Sequence, residues 1–312
     1  MLLFLLAIVI GCLGLYYGGD LLLKGASVIG RRLGWSAAIT GFVLISLGTS
    51  APELFVSVGA AIQGLGDMAA GNVVGSNIVN IAIVLGLGAL IMPLSINHSV
   101  RVHQLPLMVG LTLAGYIMLL DGLVGRLEGL ALLGTASAAV WWAMRVDGVQ
   151  DLQDPKSGED AQERSQRLLN SLVSLIAGVV FLVIGAEGLI WGGVGLARYF
   201  GVPSAIVALT VTSVGTGLPE ITATVLAVLR RNADMAVGNV VGSNLLNIGL
   251  VLGMSAFISP IDSHGVQLLP LSIMLALSLI LAILAWHPGY VARWMGGSLL
   301  AAFVAYLVLL VR

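Results

Sequence analysis

Cysteine, charge and a basic leader are all scarce in this 312-residue chain, and each scarcity removes a class of protein. The lone Cys12 sits in an apolar run, so a disulfide framework is excluded. Asp, Glu, Lys and Arg together make up 9% of the residues, where a soluble domain carries roughly 25%. No soluble fold covers so apolar a chain with polar surface. A net charge of -1 argues against a nucleic-acid partner. No HExxH string is present, and His98, His103, His264 and His287 all fall near the ends of apolar runs, which disfavours a zinc or copper centre. The first apolar run has no basic n-region and continues from Met1 to about Leu23, so it reads as a retained helix rather than a signal peptide.

What remains is 58% hydrophobic, with a mean hydropathy of +1.05. A membrane-spanning helix needs about 20 predominantly apolar residues. Ten segments qualify: about 2–24, 36–63, 68–92, 104–120, 126–144, 168–197, 203–229, 235–258, 267–286 and 291–311. The expected fold is therefore an all-α integral membrane protein. Only the connection at 145–167 is long and polar, and it reads as a solvated linker between units 1–144 and 168–312. Eleven of the 14 Lys and Arg residues fall in the odd-numbered connections and three on the other side. The positive-inside rule then places the linker in the cytoplasm and both termini outside. Compact size and the lack of a signal sequence point to a bacterial or archaeal plasma (inner) membrane.

The chain repeats itself. Residues 67–87 match 234–254 at 15 of 21 positions, an offset of 167. The same offset pairs Ser46–Glu53 with Ser213–Glu220, Gly18 with Gly185, and Asp20 with Glu187. One offset serving separate blocks means two copies of one unit. Each copy holds five spans, an odd number, so the second must enter from the opposite face: two inverted five-helix repeats.

Glu53 and Glu220 lie deep in apolar spans. A carboxylate at the bilayer centre costs roughly 2.5–3.5 kcal/mol on insertion scales, and neither span contains a Lys or Arg. A bound cation or a proton is left to compensate. Pro52 and Pro219 each lack an N–H and crowd the carbonyls of Gly48 and Gly215, so both spans are expected to break at the midplane. Ser46, Thr49, Ser50 and Glu53 share one helical face, with Ser213, Thr216 and Glu220 on the matching one. Asn72, Ser76 and Asn80 fall four apart, as do Asn239, Ser243 and Asn247. Gly71, Gly75, Gly238 and Gly242 follow the small-xxx-small pattern of close helix approach. Oxygen ligands of this kind suit a hard cation such as Ca²⁺, which takes about 6–8 of them; Thr49, Thr216 or nearby carbonyls complete the shell beside the two carboxylates. The simpler readings are hydroxyls bonded back to their own helix, and Asn72, Asn77, Asn239 and Asn244 tying helices together. Asp20 stands four residues before Lys24, the spacing of a local ion pair.

Gly48-Thr49-Ser50-Ala51-Pro52-Glu53 with Gly71-Asn72-Val73-Val74-Gly75-Ser76-Asn77, both echoed in the second half, resembles the alpha-repeats of the sodium/calcium exchanger family of the calcium/cation antiporter superfamily, in its prokaryotic form. The resemblance implies alternating access in which Na⁺ entry drives Ca²⁺ extrusion. It implies Ca²⁺ ligation by Glu53, Glu220, Thr49 and Thr216. It also implies Na⁺ sites using Ser46, Ser50, Ser213, Ser76 and Ser243, with Asn80 and Asn247 near the centre. Such a protein is a transporter, not an enzyme, with no cofactor and no evident protein partner. Two positions depart from the family pattern: Gly217 stands where the first copy has Ser50, and Asn80 and Asn247 are both neutral where one acidic residue is common. The counter-ion is thus open between Na⁺ and H⁺. A cation channel is a third reading, because broken helices occur in channels too.

Overall fold

Long apolar runs free of interior proline form long helices, and the run that carries Pro52 bends. The computed structural model describes residues 1–147, 161–200 and 215–311. Its helices are α1 (Leu2–Arg32), α2 (Ala37–Thr49), α3 (Ala51–Ile62), α4 (Gly66–Ile91), α5 (Val100–Asp121), α6 (Arg126–Asp147), α7 (Ala161–Tyr199), α8 (Leu218–Leu229), α9 (Ala233–Ile258), α10 (Leu268–Trp286) and α11 (Arg293–Val311). Among the described residues, eight of these are long and apolar enough to cross a membrane, and α2 with α3 makes a ninth if counted as one bent span. The expectation of ten spans is met only that far. Of the expected segment 203–229, α8 is short and residues 201–214 lie outside the described residues. Large apolar side chains such as Phe55, Ile117, Leu127, Ile184 and Ile283 are exposed along these helices, as lipid-facing surfaces require.

Helix α6 runs to Asp147 and α7 begins at Ala161, so helix occupies both ends of the polar connection expected at 145–167. The run Ala161-Gln162-Glu163-Arg164 is rich in good helix formers, which carries α7 past its apolar core. Residues 148–160 lie outside the described residues.

The core is formed by α4 and α9, in which 78% of the most apolar window is buried, against 22% for α1 and α7. The outer pair α1 and α7 packs antiparallel, with Phe4 against Trp191 near one end and Gly25 against Ser171 near the other. Glycines at seven-residue spacing (11, 18 and 25 on α1; 178, 185 and 192 on α7) let the backbones touch. A Cβ on Gly18 would stand 2.6 Å from the backbone N of Leu182, and one on Gly185 2.6 Å from that of Leu15.

Two short ladders depart from an all-helical architecture. Leu94–Ser95 pairs antiparallel with Tyr290–Val291, and Leu123–Val124 with Ile261–Asp262. Each ladder joins one half of the sequence to the other at helix ends.

Candidate functional site: two buried carboxylates at broken helices

The bend between α2 and α3 is 46° and falls at Ser50. Pro52, at the start of α3, cannot donate to the carbonyl of Gly48, so the ladder is interrupted there. Helix α8 starts in the same way, with Gly217 before it and Pro219 in its first turn. Glu53 and Glu220 consequently occupy the first turns of α3 and α8, where the unpaired N–H groups and the helix dipole favour negative charge. Both carboxylates are buried, each 1% exposed.

The two acidic side chains come within electrostatic reach of one another, and each is flanked by the threonine of the other half: Thr216 beside Glu53, Thr49 beside Glu220. Ser50 Oγ donates to Glu220 Oε1 at 3.2 Å. Glu53 has no counterpart to this bond, since Gly217 stands at the equivalent position. Neither Glu53 oxygen has a hydrogen-bond partner among the described residues. Thr49 Oγ1 lies 3.4 Å from Ser46 O and 3.5 Å from Asn239 Oδ1. Ser46 Oγ donates back to Phe42 O in its own helix, so its hydrogen is already committed while its lone pairs stay available. Ser213 lies outside the described residues.

Helices α4 and α9 carry the amide and hydroxyl stripes, and the members of each stripe do different things. Asn72 Nδ2 donates to Ser57 Oγ at 2.9 Å and to Glu53 O at 3.3 Å; Asn239 Nδ2 donates to Thr224 Oγ1 at 3.0 Å. These two asparagines tie the broken helix to its partner in each half. Asn77 Nδ2 bonds back to Val73 O at 2.8 Å. One step deeper, Ser76 Oγ, Ser243 Oγ, Asn80 Nδ2, both side-chain polar atoms of Asn247, and Glu220 Oε2 are buried without a partner among the described residues. A buried polar group left this way costs about 1–3 kcal/mol, and more when charged. Carried on helices that pack against those bearing the two carboxylates, such unpartnered groups fit a site that receives a hydrated or partly hydrated cation. Both helices also widen into π-helical turns that begin at Asn80 and Asn247, a distortion common at functional sites.

A cavity of about 560 Å³ leads to this region, lined by Thr216, Asn72, Gly71 and Gly75 within and by Asp67, Gly265 and Gln267 at the helix ends. Asp67 lies in the first turn of α4, where Oδ1 accepts from Gly265 N at 2.8 Å. The two glycine stripes differ sharply. Gly71 and Gly75 face open space, whereas Gly238 and Gly242 lie against the backbone of Ala38 and Phe42.

Three features escaped the sequence reading. Ser57 and Thr224, the partners of Asn72 and Asn239, sit at the 167-residue offset and could have been found by extending the repeat outward from the Glu motifs. Asp20 pairs not only with Lys24, at 2.7 Å, but also with Arg230 on the second half. The π turns at Asn80 and Asn247 contain no proline to mark them.

A bundle of lipid-facing helices around buried carboxylates and unpartnered oxygens defines an ion-translocating membrane protein. Comparison with known proteins narrows this. The family model described as sodium/calcium exchanger protein matches residues 3–145 and 170–312. The inner membrane protein YrbG of Escherichia coli strain K12 is 32% identical over 324 residues, covering 99% of this chain and 97% of its own. The sodium/calcium exchanger MaX1 of Methanosarcina acetivorans is 29% identical over 354 residues, covering 98% and 97%. A solved structure of the sodium-calcium exchanger NCX_Mj superposes with a TM-score of 0.85 at 26% identity, covering 98% of each chain. The chain belongs to the sodium/calcium exchanger family, a family of multi-pass membrane cation antiporters.

Proposed function

We propose that this protein exchanges Na⁺ for Ca²⁺ across the plasma (inner) membrane by alternating access, with Glu53 and Glu220 as shared ligands of the transported ion. The observation that carries this reading is the approach of two buried carboxylates from the first turns of separate helices, with no basic side chain among the buried described residues. Thr49 and Thr216 complete the Ca²⁺ shell; Ser46, Ser50, Ser213, Ser76 and Ser243 serve Na⁺, with Asn80 and Asn247 beside them. Because both ions compete for the same carboxylates, they travel alternately.

The architecture proposed is two inverted five-span repeats, 1–144 and 168–312, joined by a cytoplasmic linker at 145–167, with both termini outside. Paired features at the 167-residue offset support it: Asn72–Ser57 with Asn239–Thr224, the ladder at Leu94–Val291 with that at Val124–Ile261, and the π turns at Asn80 and Asn247. The cavity mouth lies beside connections 63–67 and 259–267, which hold no Lys or Arg; by the positive-inside rule that face is external. The conformation is then outward-open, with Gly238 and Gly242 sealing the cytoplasmic route. The peripheral α1–α7 pair, in contact through glycines, is suited to slide as one unit past the core.

The test is ⁴⁵Ca²⁺ uptake into vesicles loaded with sodium or with choline. Sodium-loaded vesicles should accumulate Ca²⁺; equal uptake in both rejects Na⁺ as counter-ion. The second reading is Ca²⁺/H⁺ exchange, favoured by Gly217, which has no counterpart of the Ser50 hydroxyl. A pH gradient driving Ca²⁺ flux without sodium decides for it.

A further inference from the structure

We propose that Asp20 and Arg230 form a one-sided latch: an ion pair that holds α1 against α8 in this conformation and has no equivalent to hold α7 against α3 in the opposite one. This rests on the alternating-access reading above and goes beyond it, because it names a contact that makes two similar halves favour one arrangement. Arg230 stands at the C-terminal end of α8, and its guanidinium pairs with the Asp20 carboxylate of α1. The two helices pack closely beside this pair. A Cβ on Gly19 would stand 2.7 Å from Leu226 Cδ1 and 3.0 Å from Thr222 Cγ2.

The other half lacks both the contact and the charge. At the 167-residue offset Glu187 stands for Asp20, but Gln63 stands for Arg230 and Trp191 for Lys24. Gly59 and Phe55 of α3 stand for Leu226 and Thr222. Among the described residues a Cβ on Gly59 would meet nothing within 4 Å, and Phe55 is 76% exposed. Val56 of α3 and Ile190 of α7 both line the cavity. Thus α1 is closed on α8, while α7 stands off α3 where the cavity opens.

An equilibrium between two conformations responds only to interactions that differ between them. When the α1–α7 pair moves past the core so that α7 closes on α3, the halves exchange environments. Asp20 then leaves Arg230, and Glu187 arrives at Gln63, which bears no charge. Lys24 lies on the same helix as Asp20, 2.7 Å away, and moves with it. The carboxylate is therefore not stranded when the latch opens. The Asp20–Arg230 pair is partly exposed, so it changes the ratio between conformations by at most about fivefold. A latch of that size biases the cycle without stopping it.

The experiment uses the full chain in proteoliposomes at one fixed Na⁺ and Ca²⁺ concentration. Cys12→Ala removes the native thiol, and Gln166→Cys on α7 and His287→Cys at the end of α10, both exposed, carry spin labels. Pulsed electron spin resonance then reads the distance populations, one matching this structure and a second for the opposite conformation. Asp20→Asn and Arg230→Gln should each raise the ratio of the second to the first by about twofold to fivefold. The double variant should raise it no further than the larger single one, because the same pair is lost. Lys24→Gln removes only the pair within α1 and should not raise the ratio. Gln63→Arg gives Glu187 a cation on the opposite side and should raise it by a similar factor; an unchanged ratio there overturns the one-sidedness. A change below about twofold in both Asp20→Asn and Arg230→Gln, or an equal rise with Lys24→Gln, overturns the latch while leaving alternating access intact. A single distance that no change of ions moves sinks the alternating-access reading, and the latch with it.

Discussion

The two half-sites are built alike and partnered differently. Glu220 receives a hydroxyl from Ser50 of the other half, while Glu53 has no such bond, Gly217 standing at the equivalent position. The glycine stripes show a second contrast: Gly238 and Gly242 are sealed against α2, and Gly71 and Gly75 border the cavity. The residues behind the first difference, Ser50 and Gly217, are written into the covalent chain. The second belongs to one packing arrangement of a repeated unit, and would exchange between halves if the outward and inward routes alternate. Sequence identity of two stripes thus coexists with opposite environments, because a packed interface takes one arrangement or another rather than an average.

Substitutions can break or sharpen this comparison. The largest effect is expected from Glu53→Gln and Glu220→Gln, each lowering Ca²⁺ flux by about 100-fold or more, since a neutral amide cannot balance a desolvated divalent charge; flux in vesicles normalised to inserted protein measures it. If one variant keeps wild-type flux, the two carboxylates do not share the ion.

Next comes the glycine contrast. A Cβ on Gly242 would stand 2.7 Å from Ser46 Oγ and collide with Phe42 O. Gly242→Ala should therefore destabilise this conformation by about 1–3 kcal/mol, the range of overpacking. Gly75→Ala has room and should leave thermal stability unchanged. Equal loss in detergent melting curves of both variants would mean the stripes are not differently packed.

A smaller effect is expected at the hydroxyl. Ser50→Ala strips Glu220 of its donor and should weaken cation binding by about 1.5–3 kcal/mol, the range for a hydrogen bond to a charged group, roughly 10- to 100-fold in apparent affinity. Gly217→Ser offers Glu53 the same donor and should shift affinity the opposite way. Titration of Ca²⁺-dependent flux reads both, and no difference between the two variants would show that the asymmetry is silent.

The smallest effect is expected at Asp20. Its ion pairs with Lys24 and Arg230 are partly solvent-exposed, so Asp20→Asn should cost at most about 1 kcal/mol of stability. A larger drop in melting temperature than in the Gly242→Ala variant would reverse the ranking.

Helix positions, the break at Pro52 and the pairing of equivalent residues were all legible in the chain, because each depends on local chemistry. Apolar length makes a span, a proline removes a particular hydrogen bond, and a repeat reveals itself by identity at one offset. The carboxylates stood out for the same reason, since charge without a neighbouring counter-charge is visible in one dimension. The polar stripes were less readable. Asn72 and Asn80 sit on one helical face, yet one ties helices together while the other begins a π turn at the centre. Only the neighbouring helix distinguishes them. The reach of Arg230 to Asp20, 210 residues apart, was likewise invisible.

By itself the sequence determined the class of protein, the break at Pro52, the two carboxylates without a neighbouring counter-charge and the inequivalence of Ser50 and Gly217. These are properties of residue type and of backbone connectivity. Tertiary structure alone decided that the Ser50 hydroxyl reaches the carboxylate of the other half, which glycine stripe is sealed and where the cavity opens. Those outcomes depend on how two similar halves pack against each other, and near-identical segments placed in unlike surroundings cannot report that difference from their own residues.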